Sequence, residues 1–325
     1  MELICPAGTP TAFRDAITAG ADAVYCGFRD ETNARNFPGL NFSRPELSEA
    51  IGYAHARSVT VLVAINTFMQ AGREALWYAA VDDAVAAGAD ALILADLGLL
   101  AYASDHHPHQ RLHLSVQASA SNADTINFLV DRFGIRRAVL PRVLTIAEVS
   151  DLTRKVRCET EVFVFGGLCV MAEGRCSLSS YATGKSPNMQ GVCSPASDVR
   201  YRNEGAELVS ELGAFTINRF PKGESAGYPT LCKGRFNAGD QSGYIFEDPV
   251  SLDVLAHLDA LKAAGVSALK IEGRQRGRAY IAEVVRNIHA ALGEDAPGRQ
   301  RRMHALEALS EGQKTTSGAY EKRWR

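Results

Sequence analysis

One unit recurs along this chain: a glycine that stops a helix, a short step, then a run of apolar residues. It reads AGADAVYCG from Ala19, AGADALILAD from Ala87, FGIRRAVLPR from Phe133 and AGVSALKIEG from Ala264. Gly20, Gly88, Gly134 and Gly265 each stand where a left-handed residue ends a helix, and the apolar run that follows is short enough for a strand. Strands that alternate with helices are joined by crossovers, and crossovers make parallel sheets. Eight strands are expected: Glu2–Cys5, Ala23–Cys26, Thr60–Ile65, Ala91–Leu94, Leu112–Val116, Ala138–Leu140, Glu161–Phe165 and Ala268–Ile271. That number predicts an α/β fold of the (β/α)8 TIM-barrel type, with a doubly wound open sheet as the alternative.

Helix starts are as clear as helix stops. Thr9-Pro10 places a cap ahead of a first-turn proline, and Ser43 with Glu46 and Thr145 with Glu148 have capping-box spacing. After Ser251 a helix is expected with Leu252, Leu255 and Leu258 on its buried face and Asp253, Asp259 and Lys262 toward solvent.

The repeat is interrupted once. Strand seven ends near Gly166 and its helix is not expected before Ser251, so about eighty-five residues are inserted in one connection. The domain reading is a barrel over 1–295 that includes an insertion at 167–250, followed by a C-terminal extension at 296–325. In a barrel such an insertion emerges at the C-terminal face of the strands and caps the mouth.

The insertion concentrates cysteine. Cys169, Cys176, Cys193 and Cys232 are separated by six, sixteen and thirty-eight residues, too far apart for a zinc-ribbon knuckle but suited to four thiolates converging from long loops. Four soft ligands without histidine point to an iron–sulfur cluster first and zinc second, with ordinary buried thiols as the plain alternative. The chain has seven cysteines, an odd number, which favours metal binding in a reducing compartment over a disulfide framework. MELICPAGTP lacks the basic and apolar regions of a signal peptide and no apolar run is long enough to span a bilayer, so a cytoplasmic location is expected. A net charge of −2 gives no global pull toward nucleic acid.

The same region carries a family likeness. Glu161, Phe163, Gly166, Leu168, Cys169, Gly174, Cys176, Leu178 and Ser179 fall on a pattern that resembles the signature of the collagenase-like peptidase family of unassigned catalytic type, with Gly167 where Ser or Ala is usual. MAEGRCSLSSY, AGYPTLCKGR and SALKIEGRQR are similar to the branch of that family that hydroxylates ubiquinone precursors without oxygen. The resemblance spans nearly the whole chain and supports the barrel. It implies a 4Fe-4S cluster on Cys169, Cys176, Cys193 and Cys232, and a heterodimer with a homologous iron–sulfur barrel, UbiV. It further implies a lipid-binding accessory protein that presents the quinone precursor, and prephenate as hydroxyl donor. Other branches hydroxylate RNA, and the family's older name implies a peptidase.

Polar residues at the C-terminal ends of strands are the candidate pocket: Asn66, Asp96, Gln117, Arg142, Glu272 and Arg274. Two arginines at a barrel mouth suit a carboxylate ligand, such as the dicarboxylate donor that the resemblance implies. Equally, Arg142 could pair with Asp96 and Arg274 with Glu272 for structure alone. Cys5 and Cys26 also lie at strand ends, but LIC and VYC make each a small buried hydrophobe, and Cys158 precedes strand seven on the opposite face. GESAG, Gly223 to Gly227, matches a nucleophile elbow in letters only, because Pro221 and Pro229 flank it and no strand-to-helix turn is expected there. HHPH, His106 to His109, reads as an exposed turn.

Overall fold

The computed structural model describes residues 1–169, 171–190, 192–224 and 226–321. Ser225, of the GESAG motif, lies outside the described residues. The chain opens with β1 (Glu2–Pro6), α1 (Pro10–Thr18), β2 (Ala23–Cys26), α2 (Arg44–His55), β3 (Thr60–Ile65), α3 (Ala75–Ala86) and β4 (Ala91–Leu94). It continues with α4 (Leu97–His106), β5 (Arg111–Leu114), α5 (Ala123–Phe133), β6 (Arg137–Val139), α6 (Ile146–Lys155) and β7 (Glu159–Gly167). These seven strands pair in sequence order, all parallel.

An insertion follows: α7 (Leu178–Thr183), an antiparallel sheet of β8 (Val199–Glu204), β9 (Glu207–Leu212) and β10 (Phe215–Phe220), and a hairpin of β11 (Arg235–Ala238) and β12 (Gln241–Tyr244). The barrel resumes through β13 (Ser251–Asp253), α8 (Leu258–Ala263) and β14 (Ala268–Ile271), and ends in α9 (Arg278–Gly293). β14 pairs in parallel with both β7 and β1, which closes an eight-stranded parallel barrel and rules out the open sheet. α10 (Ala296–Glu307) and β15 (Thr315–Thr316) complete the chain. Among the described residues no helix is long and apolar enough to cross a membrane.

The helix boundaries follow from local chemistry. Thr9 accepts from the Ala12 amide ahead of Pro10, and both capping boxes form. Gly20, Gly88, Gly134 and Gly265 all take positive φ.

The expected helix at Ser251 is a correction. Ser251–Asp253 instead extends as β13, antiparallel to the end of β7. This satisfies the backbone at the free end of the longest barrel strand. The helix starts only at Leu258, and Asp253 is buried, where its Oδ1 accepts from the Leu255 amide at 2.9 Å.

Alternation along the strands sorts the core into two layers. Leu3, Cys5, Val24, Cys26, Val61 and Val63 face outward and belong to the large cluster between barrel and helices, whereas Ile4, Ala23, Tyr25, Leu62, Ala64 and Ile93 fill the interior. Cys5 and Cys26 are therefore packing residues, and burial pushes the Cys26 thiol up to about 12. His106 closes α4 and stacks on Tyr102, while His107 meets Asp82 at 2.7 Å, so this turn is occupied by local contacts.

Candidate functional site

The barrel interior is apolar on one side and charged on the other. Lys270 of β14 donates to Glu161 of β7 at 2.6 Å, and Arg137 of β6 reaches the other Glu161 oxygen at 3.4 Å. The Lys270 ammonium also lies 3.9 Å from the centre of the Tyr25 ring. Burial lowers the Lys270 pKa against the opposing pull of Glu161.

Above this layer is a cavity bordered by Tyr25, Arg35, Asn66, Ser115, Gln117, Arg142, Phe163, Glu173, Lys270, Glu272 and Arg274. Five of the six expected pocket residues are brought together there. Asp96 is the exception: it caps α4 through the Leu99 amide and accepts from Met69, so it serves the scaffold. Asn66 accepts from the Ala34 amide and donates to Ser115, which ties strand three's end to its neighbours.

The ion pairs differ from both expected pairings. Arg142 donates to Glu173 at 2.7 Å and lies 3.6 Å over the Phe163 ring, with both charged side chains buried. Arg274 donates to Asn33 at 2.7 Å. Glu272 accepts from the Gly167 amide at 3.2 Å and faces Arg35 at 3.6 Å. Burial opposes the charge on Glu272, but Arg35 and Arg142 hold its pKa below the usual carboxylate value. Glu173 behaves oppositely: burial raises its pKa despite Arg142. Burial also lowers the Arg274 pKa to about 10.

Arg35, Glu173 and Lys270 were not among the expected residues. Arg35 and Glu173 sit on loops, away from the strand ends that the apolar runs mark in the sequence. Lys270 did carry a signal: a lysine within the apolar run ALKI demands a buried partner.

The cysteine-bearing loop is fastened to this cavity. Gly166 turns at φ +120° against the carbonyl of Glu272, where a Cβ would collide. Gly174, at φ +85°, packs against the Gln117 carbonyl, and the Ser119 hydroxyl donates to the Glu173 carbonyl. Other anchors hold the cysteine backbone: the Ser179 hydroxyl donates to the Cys193 carbonyl, the Asn188 side chain to that of Cys176, and the Glu247 amide to that of Cys232.

Cys169, Cys176 and Cys232 all lie within electrostatic reach of Cys193. Burial raises each of those three thiols, Cys169 to about 12 and Cys232 to about 11. The set suits a soft metal centre in donor type and in convergence on one region. Among the described residues, no three His, Cys, Asp or Glu side chains are placed closely enough to hold a metal ion.

The fold and site define a parallel (β/α)8 barrel whose polar mouth is roofed by a cysteine-rich insertion. Residues 8–324 match the family described as Peptidase family U32, and the chain belongs to it. It is 32% identical to tRNA hydroxylation protein P of Escherichia coli over 95% of this chain and 71% of that protein. It is 31% identical to an uncharacterized protease of Methanocaldococcus jannaschii, over 90% of this chain and 65% of that one. It is 28% identical to the 23S rRNA 5-hydroxycytidine C2501 synthase of Escherichia coli, over 90% of this chain and 39% of the synthase.

Proposed function

We propose that this chain is an iron–sulfur subunit of an oxygen-independent hydroxylase, acting on an aromatic ubiquinone precursor with prephenate as hydroxyl donor. The observation that carries this reading is the charge of the mouth cavity. Lys270 is answered by Glu161, which leaves Arg35, Arg142 and Arg274 with two cavity carboxylates among the described residues, Glu173 and Glu272, while Arg35 also lies within electrostatic reach of Cys193 and Cys169. A buried excess of positive charge favours an anionic occupant. Arg35 and Arg274 receive its carboxylates, Arg142 braces the wall through Glu173, and the roofing loop shields the reacting centre from water.

Cys169, Cys176, Cys193 and Cys232 are the residues that would hold a 4Fe-4S cluster, and to do so the four thiols would have to stand closer together than they do here. The cluster supplies electron transfer beside the cavity when bound. The finer likeness, to UbiU, makes a homologous iron–sulfur barrel, UbiV, the partner and a lipid-binding accessory protein the carrier of the quinone precursor. Six of the eight exposed large hydrophobic residues among those described lie on the insertion, including Tyr181, Ile245 and Phe246, which supports a partner-facing surface there.

A second reading, RNA hydroxylation, is favoured by the names of the relatives. Cells grown without oxygen that carry Cys176→Ala separate the two. Ubiquinone falls and its unhydroxylated precursor accumulates, while hydroxylated nucleosides in digested tRNA and rRNA stay constant. Loss of the nucleosides with normal ubiquinone overturns the quinone reading in favour of RNA.

A further inference from the structure

Among the described residues, Lys270 is the one primary amine on the border of the mouth cavity, where β14 passes from the barrel interior to the mouth. Its ammonium has a single hydrogen-bond acceptor among those residues, Glu161 Oε1 at 2.6 Å, and otherwise rests against the Tyr25 ring. Glu161 can take a proton from it without undoing the ion pairs below. Arg137 lies farther from Glu161, at 3.4 Å, and keeps Glu2 at 2.6 Å and Glu159 at 2.7 Å as counter-charges when Glu161 is neutral. Burial lowers the Lys270 pKa, and Arg274 and Arg137 add to that against the pull of Glu161, so the free amine costs less here than on a surface lysine.

The Tyr25 ring brings a second group beside that amine. The guanidinium carbon of Arg274 lies 5.4 Å from the ring centre, against 3.9 Å for the Lys270 nitrogen, so both cations border the cavity over one aromatic side chain. Arg274 donates to a neutral partner, Asn33, which leaves its charge available to a carboxylate. A neutral amine adds to a carbonyl carbon. The two functions side by side match a 2-oxo acid, whose ketone and carboxylate sit on neighbouring carbons. A plain carboxylate gives the amine nothing to attack, and a plain ketone leaves Arg274 unanswered. We propose that Lys270 forms an imine with the keto carbon of a 2-oxo acid whose carboxylate is held by Arg274. This rests on the reading of the cavity as the donor site, since prephenate is itself a 2-oxo acid, and adds a covalent anchor to it. Glu161 accepts one proton from the Lys270 ammonium, and the freed nitrogen pair forms the C–N bond as the C=O bond opens. The carbonyl oxygen then leaves as water, with one proton from the nitrogen and the proton that Glu161 held. The product is a protonated imine with the Glu161 carboxylate as counter-ion, and nothing is oxidised or reduced.

The test incubates the full chain, reconstituted without oxygen, with prephenate and then with cyanoborohydride, which fixes an imine as a stable secondary amine. Mass spectrometry of the tryptic peptides locates the adduct, and calorimetry on unreduced samples measures prephenate binding. Wild type is expected to carry a single adduct, on Lys270, that requires both prephenate and reductant. Lys270→Arg keeps a cation for Glu161 and is expected to lose the adduct with iron content unchanged, while Glu161→Gln slows trapping about ten-fold or more. The mapping on wild type decides the matter even where a variant fails to fold. Saturable binding with no adduct on Lys270, or with no more there than on an exposed lysine such as Lys155, overturns the imine and leaves the donor reading standing. Absence of both binding and adduct in wild type removes the donor reading and the imine with it.

Discussion

The guanidinium of Arg142 is sandwiched between the Glu173 carboxylate, 2.7 Å away, and the Phe163 ring, 3.6 Å beneath it. Phe163 belongs to β7 and Glu173 to the loop between Cys169 and Cys176, so one side chain joins the barrel wall to the cysteine-bearing segment. Removing one partner strands a buried charge. Arg142→Ala is expected to cost about 3–5 kcal/mol and to show as a fall of several degrees in melting temperature. Arg142→Met with Glu173→Leu together should recover most of it. A single variant as stable as wild type would show that the pair does not hold the loop.

Arg35 is the most exposed of the three cavity arginines, with 22% of its side chain accessible against 4% for Arg142, and it is held by the Ala34 carbonyl at 2.8 Å and by Glu272 at 3.6 Å. It is the cavity arginine most available to a ligand. Arg35→Gln is expected to weaken donor binding by roughly 1.5–3 kcal/mol while the melting temperature moves little. Calorimetric titration and a thermal melt on the same sample check both halves.

The barrel was legible because its signals are local. Glycine stops such as Gly88 and caps such as Ser43 act within one turn, and the apolar runs after them are short and continuous. The insertion resists that treatment. β8 reads VRYRNE and is largely exposed, so no buried alternation marks it as a strand. Its turns do carry a signal, since Gly205 and Gly213 both take a left-handed conformation. The pocket was only partly readable for a related reason: strand ends place Gln117, Arg142, Glu272 and Arg274 directly, whereas Arg35 and Glu173 reach the cavity from loops whose course depends on the finished fold. Leu252, Leu255 and Leu258 have helical spacing, yet pairing with β7 takes the first of them into a strand.

Asp253 gives a pH dependence of stability. Burial raises its pKa from the usual 3.8 to about 6, and its second oxygen has no hydrogen-bond partner among the described residues. Because the folded value lies above the unfolded one, the contribution of Asp253 to stability is fully present below about pH 4 and is lost as pH rises through 6, by roughly 2–3 kcal/mol. Asp253→Asn keeps an acceptor for the Leu255 amide and removes the ionisation. It should be more stable than wild type at pH 7 and similar at pH 4, as denaturant titrations at the two values would show.

The C-terminal segment fastens the loop that bears Cys232. Lys233 is buried and its ammonium pairs with Glu311, while Tyr320 donates to the Phe163 carbonyl at 3.1 Å. Glu311→Ala leaves the lysine charge unanswered, at a cost of about 3 kcal/mol or more. Loosening the neighbouring Cys232 should also speed metal loss. Iron release to a chelator, timed for variant and wild type, measures this, and equal rates would separate the strap from the cysteine loop.

The decisive determination is the iron and acid-labile sulfide content of protein purified without oxygen, with its EPR spectrum after reduction, for wild type beside Cys176→Ala and Cys158→Ala. A cubane on Cys169, Cys176, Cys193 and Cys232 gives about four iron and four sulfide per chain in wild type and in Cys158→Ala, with loss or degradation in Cys176→Ala. Zinc in place of iron, or a Cys176→Ala protein that keeps full iron and an unchanged spectrum, would contradict it.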